Sequence, residues 1–293
     1  MFKYSVGPWN VHEGADSFGP KVRKSITNDE KVRKFKEIGF SAVQFHDDDA
    51  VPHINEMSEK EIKSEAHKVK MLLDKIGLTA EFVAPRLWEV PETIDGGFTS
   101  NSTAERKFAL WRAYRSIDIA RQLGCNKIVL WFAREGTLCF ESKNPVQGVK
   151  RLVDAINLML DYDSKIKILI ESKPNEPIDR SFCPTIGHVM GISAQTKDPS
   201  RVGGLLESAH AILAGFDPAM EIAYGIAMGK LWSVHLNDQN GIKFDQDKTF
   251  GVENLRQAFN QIKVLKENGY GKKGEYIGLD VKAMRTQKDE DCY

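Results

Sequence analysis

Short apolar runs alternate with longer stretches of helical period along this chain. The runs IVLWF (128–132) and IKILI (166–170) are apolar almost throughout, the pattern of a parallel strand covered on both faces. Similar β-branched and aromatic runs predict strands at 4–6, 42–45, 80–84, 127–132, 166–170, 202–206, 231–236 and 276–279. Apolar positions three and four apart predict helices at 29–38, 59–76, 103–123, 146–161, 219–228 and 252–268. Gly39, Gly77, Gly124 and Gly269 each follow one of these helices, where a left-handed C-cap favours a residue without a Cβ.

Eight strands in βαβ order predict an α/β fold, a (β/α)8 TIM barrel, over an open doubly wound sheet. No phosphate-binding glycine fingerprint follows the first strand, which argues against a nucleotide site. One domain is expected over 1–293, with no linker or repeat. The last strand leaves only residues 283–293, too few for a full eighth helix, so the eighth helix is expected to be absent.

Charge narrows the partners. Lys and Arg number 41 and Asp and Glu number 41, so no global field draws in nucleic acid or an anionic membrane. No apolar run is long enough to span a bilayer and the N-terminus lacks a signal-like apolar core, which predicts a cytoplasmic protein. Cys125, Cys139, Cys183 and Cys292 lack C-x-x-C spacing and are expected to be free thiols.

Reactive groups of such barrels lie at the C-terminal ends of the strands. There the sequence places His46 to Asp49 after the second strand, Glu171 and Lys173 after the fifth, and Glu207 and His210 after the sixth. His235, Asp245 and Asp247 follow the seventh, and Asp280 and Lys282 the eighth. Taken singly, each has a plain structural use: a helix cap, a strand-end ion pair or a solvated loop carboxylate. Together, carboxylates and imidazoles from five strands face one mouth, where unneutralised repulsion is costly. Oxygen donors with one or two imidazoles suit Mg²⁺, Mn²⁺ or Co²⁺. Trp9, Trp88 and Trp131 fall at the same level and offer flat faces for the C–H surface of a sugar, whereas Trp111 reads as helix-face packing.

The segments FHDDD (45–49), DGGF (95–98), WFAREG (131–136), ESKPNEP (171–177), LNDQNGIKFDQD (236–247) and DVKAMRT (280–286) resemble, in order and spacing, those of D-xylose isomerase. The resemblance runs from Tyr4 to Thr286. It implies a barrel enzyme, usually tetrameric, that converts an aldose to a ketose by a hydride shift between C1 and C2 with two divalent metal ions. One ion would take Glu171, Glu207, Asp280 and residue 235, and the second Glu207, His210, Asp245 and Asp247. His46 would assist ring opening with Asp49 accepting its other N–H, and Lys173 would stabilise charge on the carbonyl oxygen. Trp9, Trp88 and Trp131 would wall the pocket, and Phe18 resembles the aromatic that the family inserts into a neighbouring subunit.

This chain departs from that pattern in three places. His235 stands where the family has Asp, which loses a negative charge and shifts metal preference from Mg²⁺ toward Mn²⁺ or Co²⁺. Trp88 stands where Phe is usual, and the family's C-terminal helix and arm have no counterpart. The leading expectation is an isomerase of D-xylose, with D-glucose slower, as a homo-oligomer. Another sugar isomerase, a ketose epimerase, and a paralogue that binds sugar or metal without turnover stand as alternatives.

Overall fold

The computed structural model describes residues 1–14, 20–242, 244–283, 287–288 and 293. Phe18 and Cys292 lie outside the described residues. Eight strands form the central barrel: β1 (Tyr4–Val6), β2 (Ala42–His46), β3 (Thr79–Ala84), β4 (Lys127–Trp131), β5 (Lys167–Glu171), β6 (Val202–Glu207), β7 (Leu231–Leu236) and β8 (Ile277–Leu279). All eight neighbouring pairs are parallel, and β8 closes the ring on β1 with Tyr4 beside Ile277 and Val6 beside Leu279. The (β/α)8 barrel expected from the pattern is the observed architecture.

The helices are α1 (Asn28–Glu37), α2 (Asp47–Ala50), α3 (Glu59–Ile76), α4 (Thr103–Leu123), α5 (Pro145–Tyr162), α6 (Ile186–Gln195), α7 (Ser208–Leu213), α8 (Pro218–Ala227) and α9 (Leu255–Glu267). Thr27 with Glu30 and Ser58 with Glu61 form capping boxes that satisfy the first amides of α1 and α3. Gly39, Gly77, Gly124 and Gly269 all have φ between 70° and 102°, the left-handed geometry that ends a helix.

Three helices escape the sequence pattern. Helix α2 is a single turn, and α7 runs on directly from β6. Helix α6 carries Gly187 and Gly191, which weaken its intrinsic propensity. It forms because Ile186 and Val189 pack over Gly204 of β6, where an added Cβ would lie 2.6 Å from Ile186. Among the described residues no helix follows β8; Tyr293 instead packs edge-on against Phe35 of α1, ring centroids 6.0 Å apart.

The main apolar layer lies between barrel and helices and includes Phe35, Phe45, Ile62, Ile117 and Ile128. Inside the barrel a smaller cluster of Phe82, Ala84, Val129, Leu169 and Leu205 supports the mouth. Two irregularities adjust what points inward. Pairing steps from Val43 beside Ala80 to Gln44 beside Phe82, so Glu81 is an extra, bulged residue of β3. Trp232 is bulged in the same way on β7. No helix among the described residues is long and apolar enough to cross a membrane. Cys125, Cys139 and Cys183 are free thiols.

Candidate active site

A cavity of about 430 Å³ opens among the C-terminal ends of the strands. Its floor gathers the carboxylates and imidazoles that the sequence assigned to strand ends. Glu171 ends β5, Glu207 ends β6, His235 lies in β7 and Asp280 follows β8; donor atoms of all four lie within 4.8 Å of one another. His235 Nδ1 is 3.3 Å from Asp280, 3.7 Å from Glu207 and 3.8 Å from Glu171. A second group, Glu207, His210 and Asp245, satisfies the same distance and shares Glu207 with the first.

Asp247, expected in that second set, is buried beside it and lines the same cavity. Its carboxylate pairs with the Lys282 ammonium and accepts from Asn237 Nδ2 at 3.1 Å. Asn237 also donates to Glu207 at 2.8 Å, so it ties the two carboxylates together. Lys173, almost wholly buried, places Nζ 2.9 Å from Asp245, 3.3 Å from Glu176 and 4.8 Å from the centre of a Trp131 ring.

Three tryptophans form the wall. Trp9 stacks on His46 at 4.3 Å and donates Nε1–H to Asp280 at 2.9 Å. Trp88 meets His46 edge-on at 5.1 Å and Trp131 edge-on at 4.5 Å. Asp49 stands 3.2 Å from His46 Nδ1, but Arg86 Nη2 is nearer to the same nitrogen, at 2.7 Å.

Electrostatics divide the carboxylates. Burial lifts Glu207 to about 7 and drives Asp247 well above the usual carboxylate range, the latter reinforced by neighbouring Asp245. Burial also acts against ionised Asp245, yet Lys173 and His210 hold it well below that range. His235 overcomes the burial of Asp280 and holds it at about 2, while burial of His235 itself is outweighed by the nearby carboxylates of Asp280, Glu171 and Glu207, which raise it. The opposed shifts reflect buried carboxylates crowded around few positive charges.

The residues present fit a divalent cation. His210 Nδ1, His235 Nδ1 and Asp245 Oδ1 are buried without a hydrogen-bond partner, and each belongs to one of the two donor clusters. Buried polar atoms left unpaired in this way are costly unless something else supplies the positive partner. The mixed N/O donor set is one that Mn²⁺, Co²⁺ and Zn²⁺ accept readily.

Among known protein families, residues 32–289 match the xylose isomerase-like TIM barrel. The chain belongs to the xylose isomerase-like TIM barrel family. Solved structures share the fold at low identity. A putative xylose isomerase from Rhodospirillum rubrum is 14% identical with a TM-score of 0.75, over 100% of this chain and 95% of that one. The 3-keto-D-glucoside 4-epimerase of E. coli is 14% identical at 0.68, over 100% and 96%. The IolI protein with a bound zinc atom is 13% identical at 0.71, over 99% and 93%.

Within this xylose isomerase-like barrel, several residues around the site were not singled out from sequence. Asn237 directly follows β7 among the strand-end residues, but nothing in the sequence marks it as the link between Glu207 and Asp247. Arg86 lies beyond β3 in a stretch that reads as an ordinary loop. Gln44 and Glu81 sit inside strands, where a polar residue carries no sequence signal of the partner it will meet across the barrel.

Proposed function

We propose that this chain is a metal-dependent aldose–ketose isomerase acting on an unphosphorylated sugar. D-xylose is its best substrate, D-glucose is slower, and hydride moves directly between C1 and C2. The observation that carries the reading is Lys173, a buried ammonium held by Asp245 and Glu176 over Trp131, beside the two donor clusters. A fixed cation there suits a carbonyl oxygen that gains negative charge as hydride arrives.

Glu171, Glu207, His235 and Asp280 would hold one divalent ion; Glu207, His210 and Asp245 would hold a second, more weakly, since Lys282 and Asn237 occupy Asp247. Such ions supply Lewis acidity toward the sugar's hydroxyl and carbonyl oxygens. The imidazole of His235 biases the first set toward Mn²⁺ or Co²⁺ over Mg²⁺. The chain's own groups do the positioning. Trp9, Trp88 and Trp131 cover the C–H faces of the sugar and exclude water from the reacting carbons. His46, held between Trp9 and Trp88, reaches the ring oxygen during opening, and Lys173 donates an N–H to the carbonyl oxygen.

A second reading is favoured by the first cluster alone. Four mixed carboxylate and imidazole donors around one point are enough for a single-cation ketose epimerase. Xylose deuterated at C2, incubated with the Mn²⁺-loaded protein, separates the two. Deuterium retained at C1 of the ketose is expected. Its loss to water would overturn the hydride shift, and exchange at C3 of a supplied ketose without aldose turnover would favour the epimerase. Tight xylitol binding with neither reaction would point to a binding protein.

A further inference from the structure

The floor beneath His235 is polar, buried and fully connected. Glu81, the bulged residue of β3, accepts from Ser5 Oγ at 2.5 Å and from Gln44 Nε2 at 3.0 Å through one oxygen; Ser233 Oγ donates to the other at 2.8 Å. The Lys127 ammonium lies 3.8 Å from that second oxygen and offsets the charge. Gln44 Nε2 also donates to Ser5 Oγ at 3.0 Å. The other end of the same amide, Gln44 Oε1, lies 3.1 Å from His235 Nε2.

These contacts fix the orientation of the Gln44 amide and a proton on His235 Nε2. A carboxylate only accepts, so the end of Gln44 that faces Glu81 must be the NH₂ group. The end that faces His235 is then the carbonyl oxygen, also an acceptor, so His235 Nε2 must carry a proton. A neutral imidazole with Nε2–H keeps its lone pair on Nδ1, the atom that faces Glu171, Glu207 and Asp280. Gly278 of β8 leaves the room this requires: a Cβ there would lie 2.4 Å from Gln44 Nε2 and 2.6 Å from the His235 ring.

We propose that Gln44, oriented by Glu81, is a positioning residue that makes His235 a cation ligand through Nδ1. The inference rests on the cation reading of the site and adds a residue on the side remote from the ligands. A hydrogen bond to the outer nitrogen fixes both the tautomer and the ring plane of a ligating histidine, and losing such a partner typically weakens metal binding about 10–100-fold.

Two measurements test it. In protein carrying ¹⁵N-labelled histidine and bound Zn²⁺, with the His235 signals assigned by their loss in His235→Gln, Nε2 should be protonated and Nδ1 coordinated. Coordination through Nε2, or a proton on Nδ1, would overturn the inference without any Gln44 variant. In titrations with Mn²⁺ and Zn²⁺, Gln44→Met should bind about 10–100-fold more weakly than wild type. Ser233→Ala, which also removes a hydrogen bond from Glu81 but leaves Gln44 beside His235, should bind as wild type does. If Gln44→Met binds as tightly as wild type, Gln44 has no such role while the metal site stands. If wild type binds neither ion, the metal site falls and this inference with it.

Discussion

His46 shows how a single neighbour alters the role of a side chain. Its Nδ1 lies 3.2 Å from the Asp49 carboxylate and 2.7 Å from Arg86 Nη2, and the two make opposite demands. The carboxylate asks for a proton on Nδ1; the guanidinium, which only donates, asks for a bare lone pair. Asp49 has other partners, since its Oδ2 accepts from the His46 backbone N–H at 3.1 Å and Arg86 lies 3.6 Å from its Oδ1. The nearer Arg86 should therefore win, leaving Nδ1 bare and Nε2–H as a donor on the other side of the ring. ¹⁵N shifts of His46 should show an unprotonated Nδ1 in wild type and a protonated one in Arg86→Met, where Asp49 takes over. An Nδ1–H signal already present in wild type would refute this ordering. Asp49 was legible from the resemblance of FHDDD to its family segment, but Arg86, 40 positions from His46, was not, because nothing local marks a loop arginine that will fold back over a distant imidazole.

At the scale of elements, the joints between helix and strand set the height at which each strand delivers its side chain. Asp163 ends α5 and holds the turn into β5. Its Oδ1 accepts from the Lys165 and Ile166 amides at 2.5 and 2.9 Å, and its Oδ2 pairs with Arg121 of α4. Burial pushes this carboxyl up, but the amides and Arg121 outweigh it and hold it below its ordinary value. A carboxylate with a lowered folded-state pKa contributes stability above the unfolded value, about 3.9, and loses it as pH falls through the folded value. Asp163→Asn should thus cost about 1.5–3 kcal/mol at pH 7 in urea unfolding, and its deficit against wild type should close below about pH 4. A deficit that does not change with pH would mean the charge is irrelevant. The same scale explains the elements missed from sequence. The 47–49 acidic run reads as a solvated turn or a helix cap, yet Asp47 is fully buried and grips Arg112 of α4 with contacts of 2.6 and 2.8 Å.

For the whole molecule, the first donor cluster joins the ends of β5, β6, β7 and β8, including the strand that closes the barrel on β1. A cation bound there would cross-link four consecutive strands and stabilise the native state by mass action. Mn²⁺ at about a hundred times its dissociation constant should add about 2.7 kcal/mol, which is roughly 4–5 °C in the unfolding midpoint for a chain of this size. EDTA should reverse the shift. A midpoint indifferent to Mn²⁺ and EDTA in calorimetry would show that the cluster holds no ion in solution.

Sequence by itself determined the periodicity, the caps and the strand ends. Apolar runs and glycine stops are local properties, and a barrel rule turns strand order into a mouth where Glu171, Glu207, His235 and Asp280 must meet. Only the tertiary structure decided which polar groups share a proton or a charge. Asp247 went to Lys282 and Asn237, His46 gained Arg86, and His235 gained Gln44 from 191 positions away. Those pairings depend on bulges, on a missing Cβ at Gly278 and on differences in distance of a few tenths of an ångström. No spacing along the chain encodes them, because they exist only once eight strands have closed around one axis.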